Sequence, residues 1–283
     1  MRTKLGVLFI AGVFSCATET VEPGPFNGSI NGSCNQSLAI TLEEHAGSGM
    51  AEKTLALTFD DGPAESTSEL SRFLKGAGIA ATFFLNGTHV DGREAVLDQQ
   101  LADGHLLANH THTHAALTTI SEAEVLSEVS LTDKLLAGRV AADKLYFRPP
   151  FGDWNASVMQ VLSGSAMQKY RGPIGWDIGD KITESSAADW DCWDEENGTR
   201  TVEQCGDLYL KEIRAKKRGV VLLHDGPPGG NGAKTVAMVK YIVPLLKAEG
   251  YSFARIDQVR LEPHGAAAGP PGSTPGSASA GCN

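Results

Sequence analysis

Cysteine is scarce in this chain, five in 283 residues, and no two of them stand in a Cys-x-x-Cys pair. That argues against a cysteine zinc cluster. Positive charge is also short: 24 Lys and Arg face 34 Asp and Glu, giving a net charge of −10 with no basic stripe. Nucleic acid is therefore excluded as a natural partner, because phosphate binding needs concentrated Lys and Arg. Long apolar runs are missing too, and the stretch from Leu5 to Phe14 is too short to span a bilayer as a stable helix. What is present, 41% hydrophobic residues over 283 positions, suffices for one α/β barrel or two smaller domains.

Met1-Arg2-Thr3-Lys4 and the apolar run after it form the charged and hydrophobic parts of an export signal. The signal ends at Val13-Phe14-Ser15-Cys16, which resembles a bacterial lipobox. Cleavage before Cys16 would place lipid on that sulfur and hold the protein at a membrane of the cell envelope; ordinary cleavage nearby would give a secreted protein. Removing Cys16 leaves Cys34, Cys192, Cys205 and Cys282, an even number suited to an oxidising compartment. Cys192 and Cys205 are close enough for a loop staple, while Cys34 and Cys282 either clasp the termini or stay free. Residues 1–15 thus read as signal peptide, 16–52 as a flexible leader, 53–262 as the folded domain and 263–283 as a Gly/Pro/Ser-rich tail.

Within the folded domain apolar runs alternate with helical patterns. The strand candidates are Thr54 to Phe59, Ala80 to Leu85, His105 to Asn109, Leu145 to Phe147, Ile174 to Ile178, Val220 to Leu223 and Ser252 to Ile256. Helices are expected from Ser66 to Lys75, Gly92 to Asp103, Val202 to Lys217 and Ala233 to Glu249, the last interrupted by Pro244. Another starts at Ser121, whose spacing to Glu124 is that of a capping box. Such alternation implies parallel strands with right-handed crossovers, in a barrel or an open wound sheet.

Polar clusters fall where several strands end. Asp60 and Asp61 follow the first, His110-Thr111-His112-Thr113-His114 the third, Arg148-Pro149-Pro150-Phe151-Gly152 the fourth, and His224-Asp225 the sixth. Active sites of parallel barrels lie at the carboxyl ends of the strands, so these clusters converge. Two adjacent carboxylates repel unless a cation or a proton separates their roles. His110 and His114, four apart, point the same way if they share a helical turn, and with one carboxylate they complete the three protein ligands of an open catalytic zinc site. Taken alone, the histidines would be a His-rich surface loop; the Asp pair gives them a metal. His and carboxylate donors also accept cobalt, nickel or manganese.

Thr58-Phe59-Asp60-Asp61-Gly62-Pro63, the His110–His114 segment, Arg148 to Gly152 and Leu222-Leu223-His224 resemble, in order, the motifs of the NodB-like polysaccharide deacetylases, carbohydrate esterase family 4. The resemblance covers roughly Lys53 to Leu261 and implies a distorted (β/α)7 barrel. It implies Asp61, His110 and His114 as metal ligands, Asp60 as general base, Arg148 as its partner, and His224 as the acid. An N–H near Phe151 would stabilise the oxyanion, and Leu222 would line the acetyl pocket. The family's compact Trp-x-x-Asp-x-x-Asp-Trp stretch is broken here: Trp176 to Asp180 is separated from Asp189-Trp190 by Lys181 to Ala188. Asp189 is the best match for the residue that orients the acid, with Asp180 its rival, and Trp190 and Trp193 offer faces on which sugar rings stack. The implied activity is removal of N-acetyl groups from N-acetylglucosamine units of a glycan, chitin-type or peptidoglycan. The alternatives are O-deacetylation of acetylxylan and a catalytically silent glycan-binding lipoprotein.

Overall fold

A parallel strand covered on both sides reads as a near-continuous apolar run, and Thr54–Asp60 comes close to it, with Leu55, Ala56, Leu57 and Phe59 apolar and Leu55 to Asp60 all buried. It is the central strand of the computed structural model, which describes residues 39–194, 200–227 and 230–263. The strands are β1 Ile40–Ala46, β2 Thr54–Asp60, β3 Thr82–Leu85, β4 Leu106–Asn109, β5 Gly172–Ile174, β6 Gly219–His224, β7 Ser252–Phe253 and β8 Glu262–Pro263. The helices are α1 Thr67–Gly76, α2 Glu94–Ala102, α3 Glu122–Leu136, α4 Ala156–Ser163, α5 Asp189–Cys192, α6 Val202–Lys216 and α7 Gly232–Ala248. Among the described residues no helix is long and apolar enough to cross a membrane.

Strands β4, β3, β2 and β6 pair in that order, all parallel. Single parallel bridges carry the pairing round from Asn109 to Phe147, from Tyr146 to Arg171, and from Ile178 to Val221 on β6. The ring is thus a distorted (β/α) barrel. Its distortion has a visible cause: β2 pairs with β3 only from Thr58 to Asp60, because β7 takes the same edge lower down, at Thr54 and Leu55. The register sets Asp60 level with His224 on one side and Phe84 on the other, so polar groups that follow the strands emerge at one height.

Helices α1, α6 and α7 cover β2 and β6, and the core beneath them includes Leu55, Leu57, Leu70, Leu74, Ile213 and Val239, each at most 1% exposed. Phe59 and Phe83 stack at 5.1 Å between neighbouring strands, a pairing worth ~1 kcal/mol beyond its burial. Ser121 does cap α3, its side chain accepting from Glu124 N while the Glu124 carboxylate accepts from Ser121 N.

Three expectations change. Residues 40–46, expected within the flexible leader, form β1, which pairs with β5 and β8 in a separate three-stranded sheet and buries Ile40 and Ala46. Its alternation of buried and exposed positions is weak, which is why the composition of the leader masked it. Pro244 does not interrupt α7; it and Lys240, one turn earlier, are both exposed, where water takes the carbonyl that loses its partner. The segment from Leu145 to Phe147 contributes bridges rather than a full strand, and the stretch after Ile174 returns to the barrel only at Ile178. The signal peptide, Cys16, Cys34, Cys282 and the tail beyond residue 263 lie outside the described residues.

Candidate active site and metal centre

Asp60 ends β2 and Asp61 begins the turn after it, in a left-handed backbone with φ 73°, so consecutive carboxylates leave the strand in different directions. Both are buried. Asp61 Oδ1 lies 3.5 Å from His110 Nε2 and 3.1 Å from His114 Nε2, and one potential ligand atom from each of the three residues lies within 4.8 Å of the others. Asp60 Oδ2 stands 3.7 Å from His110 Nε2.

His110 and His114 do not share a helical turn, contrary to the sequence reading. The segment is irregular, with left-handed φ at Thr111 (69°) and His114 (63°). Its shape is imposed from α3: the buried Glu128 carboxylate accepts from His112 N at 2.9 Å, Thr113 N at 2.7 Å and Thr113 Oγ1 at 2.7 Å. Thr132 Oγ1 donates to Thr111 O at 2.7 Å, and Asn109 Oδ1 accepts from Thr111 N at 2.9 Å. Asn109, at the head of an Asn-x-Thr triplet, is fully buried and so is no glycan acceptor.

The donor set fits a divalent metal. His110 Nδ1 is 2.8 Å from Arg148 O; a carbonyl can only accept, so Nδ1 donates there and Nε2 is the nitrogen that faces Asp61 and the centre. Burial pushes the His114 imidazole down to about 4, against the opposing pull of Asp61, which keeps it in the neutral form that ligates. Two imidazoles and a carboxylate are an open-site set for zinc, and also for cobalt, nickel or manganese.

Arg148 is wholly buried behind Asp60, and every donor group has a target. Nη1 donates to Asp60 Oδ1 at 2.8 Å and Thr58 Oγ1 at 2.9 Å, Nε to Ile174 O at 3.0 Å, and Nη2 to Gly175 O at 3.0 Å. Its Cζ sits 4.2 Å from the Phe84 ring centroid. Burial lowers the guanidinium below its ordinary value, with Asp60 opposing. The pair ties the tops of β2 and β5 together and fixes the direction in which Asp60 points.

His224 ends β6, and its Nδ1 meets Asp189 Oδ1 at 2.8 Å. Asp189, fully buried at the start of α5, also accepts from His224 N at 2.8 Å and Thr235 Oγ1 at 2.9 Å through Oδ2, and from Trp190 N at 3.0 Å through Oδ1. Burial alone would lower His224, but the Asp189 carboxylate, aided by Asp61 and Asp60, outweighs it and raises the imidazole to about 9. Of the two candidates the sequence left for this partner, Asp189 meets the histidine. Asp180 instead accepts from Trp176 Nε1 at 3.4 Å and, through its carbonyl, from Trp190 Nε1 at 3.2 Å.

A cavity of about 460 Å³ joins these groups. Asp60, His110, His114 and His224 line it together with Pro149, Phe151, Trp176, Trp190 and Leu222. Phe151, at φ 60°, is 68% exposed at the mouth and packs edge-on to His114 at 4.5 Å. Trp190 is 40% exposed at the cavity. Trp193 is not part of the groove: it is buried, its Nε1 donating to Thr235 Oγ1 at 3.1 Å. Cys192 and Cys205 form the staple. The sequence reading missed Glu128, Thr235 and Tyr209, which act through helix faces and carry no local motif, and missed Trp176 as a wall of the cavity. Asp225 lines no part of it; burial pushes its carboxyl up to about 7, and Thr67 Oγ1 donates to it.

Residues 47–169 match the polysaccharide deacetylase family. The chain is 29% identical over 216 residues to the chitooligosaccharide deacetylase of Azorhizobium caulinodans, covering 71% of this chain and 91% of that one. It is 29% identical over 214 residues to a peptidoglycan-N-acetylglucosamine deacetylase of Bacillus cereus, covering 75% and 91%. It is 28% identical over 209 residues to the bifunctional xylanase/deacetylase of Pseudobutyrivibrio xylanivorans, covering 74% of this chain but only 30% of that longer protein. Among solved structures, the chitin deacetylase of the fungal pathogen Colletotrichum lindemuthianum superposes with a TM-score of 0.59 at 23% identity, over 77% of this chain and 89% of that one, which establishes the shared fold. With the four motifs gathered on one face of a distorted barrel, the domain that holds residues 47–169 is a polysaccharide deacetylase domain of the NodB-like kind, carbohydrate esterase family 4.

Proposed function

We propose that the protein removes N-acetyl groups from N-acetylglucosamine units of a glycan, releasing acetate and leaving a free amine. The observation that carries this reading is the division of the site: a carboxylate and two imidazoles converge on one point, while a second carboxylate and a carboxylate-held histidine line the same cavity. Asp61, His110 and His114 would hold the metal, zinc being the first choice. When bound, the ion would lower the pKa of a water towards about 7 and polarise the acetamide carbonyl.

Asp60, held by Arg148, takes the proton of the attacking water. The water oxygen bonds to the carbonyl carbon, and the oxyanion that develops accepts a hydrogen bond from the Phe151 N–H. His224 enters the reaction protonated, as its position beside Asp189 favours, and gives that proton to the amine nitrogen as the carbon–nitrogen bond breaks. Leu222 meets the acetyl methyl, and the exposed indole of Trp190 receives a sugar ring.

Acetate release from chitooligosaccharides, peptidoglycan and acetylxylan, compared at equal acetyl content, tests the reading. Release from either aminosugar glycan supports it, and release from xylan alone overturns it in favour of O-deacetylation, which the kinship to a xylanase/deacetylase keeps in view. The silent glycan-binding alternative requires no release from any of them. Export, with lipid on Cys16, belongs to the same proposal and rests on the charged and apolar N-terminal run and the lipobox-like Val13 to Cys16. Cys16→Ala is expected to shift the protein from the membrane to the soluble fraction; unchanged membrane fractionation would refute the anchor.

A further inference from the structure

Asp60, His110, Arg148 and His224 each stand at or just after a barrel strand or bridge, but Asp189 opens the four-residue helix α5. A single turn does not hold itself in water, since fixing its backbone costs more than its few hydrogen bonds return. The position of Asp189 therefore comes from its surroundings.

Cys205, Tyr209 and Glu212 are spaced i, i+4 and i+7 along α6, so they share one face, and all three are buried. Each reaches the segment that carries Asp189. Cys205 is bonded to Cys192 at the far end of α5. Glu212 Oε2 accepts from Gly179 N at 3.3 Å and Ala187 N at 2.9 Å, clamping both ends of the stretch that separates Asp180 from Asp189. Lys216 Nζ pairs with the other carboxylate oxygen at 3.0 Å. The Tyr209 hydroxyl accepts from Asp189 N at 3.0 Å and donates to Leu222 O at 3.0 Å, so one oxygen sets the spacing between α5 and the strand that ends in His224. From α7, Thr235 completes the cradle.

We propose that this face of α6 positions Asp189 against His224, so that proton donation by His224 depends on the Cys192–Cys205 bond and on the Tyr209 hydroxyl. Cys205, Tyr209 and Glu212 are positioning residues, none of them among the residues that line the cavity. The proposal rests on the acid role given above to His224. A hydrogen bond of 2.8 Å between carboxylate and imidazole survives only small displacements, so a stretched segment that is not itself a barrel strand needs this many ties.

The test uses the metal-loaded full chain with Tyr209→Phe and with the double variant Cys192→Ala, Cys205→Ala. Metal content, KM and kcat on a chitooligosaccharide are measured, and His224 is titrated by NMR of ring-labelled histidine, which needs no substrate. The charged groups acting on His224 are Asp189, Asp61, Asp60 and His114, and the variants disturb the first alone. Metal content and KM are expected to hold, while kcat at pH 8 falls about tenfold or more and the His224 midpoint moves down from about 9 towards 6.5. A lowered melting temperature with kcat and the His224 midpoint unchanged overturns the proposal. If the double variant does not fold, Tyr209→Phe decides alone. A wild type that releases no acetate counts against the proposed function, and the NMR midpoint still decides the positioning.

Discussion

Asp189→Asn removes one charge from the site and keeps the shape of the side chain. In the wild type burial lowers the imidazole, and this carboxylate, aided by Asp61 and Asp60, outweighs it and raises His224 from 6.5 to about 9. At ~1.4 kcal/mol per tenfold change, that difference corresponds to ~3 kcal/mol between the two protonation states. A group raised on folding stabilises the fold below its unfolded value and ceases to do so as pH climbs through the folded one. The variant should therefore be less stable by up to ~3 kcal/mol near pH 6, with the gap closing above about pH 9. Activity follows the same shift. At pH 8 an imidazole with a pKa of about 9 is mostly protonated and one at 6.5 mostly neutral, so kcat/KM should fall roughly 30-fold. A bound metal weakens the contribution of Asp61 in both proteins alike, so the comparison survives it. Urea unfolding at pH 6 and pH 9.5, with kcat/KM against pH on a chitooligosaccharide, checks both halves. An alkaline limb that stays in place in Asp189→Asn would refute the reasoning.

Arg148→Met leaves Asp60 buried without its cation and four acceptors without their donors, and should cost about 3–5 kcal/mol in urea unfolding while nearly abolishing turnover. A variant that unfolds like wild type would show that the guanidinium holds nothing together. Glu128→Gln replaces a carboxylate that accepts three hydrogen bonds from the loop between the two histidines, and should weaken metal affinity about tenfold with turnover per bound metal retained. Competition with a chromophoric chelator measures it, and unchanged affinity contradicts the bracing role. Trp190→Ala should raise KM for longer oligosaccharides several-fold, about 1 kcal/mol, with kcat kept. Equal loss on a disaccharide and a pentasaccharide would place the indole outside the groove.

The barrel was legible because its strands are continuous apolar runs that end in polar clusters, and the site because those clusters carry the chemistry: Asp60 and Asp61, His110 and His114, Arg148, His224. What stayed hidden depends on contacts between distant segments. Ile40–Ala46 looks like linker until β5 and β8 pair with it. The two histidines do face one centre, but Glu128, Thr132 and Asn109 bend an irregular loop to bring them there, where their spacing alone suggested a helical turn. Asp189 was ambiguous with Asp180 because the stretch between them breaks the motif, and only the face of α6 decides which one reaches His224. Trp190 and Trp193 are alike in sequence; burial against Thr235 takes one of them out of the groove.

The central claim is that adjacent carboxylates have separate duties, Asp61 at the metal and Asp60 at the proton. Metal content by elemental analysis, measured beside acetate release for Asp60→Asn, Asp61→Asn and His110→Ala, tests it most directly. The account expects Asp60→Asn to retain its metal and lose nearly all turnover, while the other two lose the metal itself. Equal metal loss in all three, or an active Asp60→Asn, would contradict it.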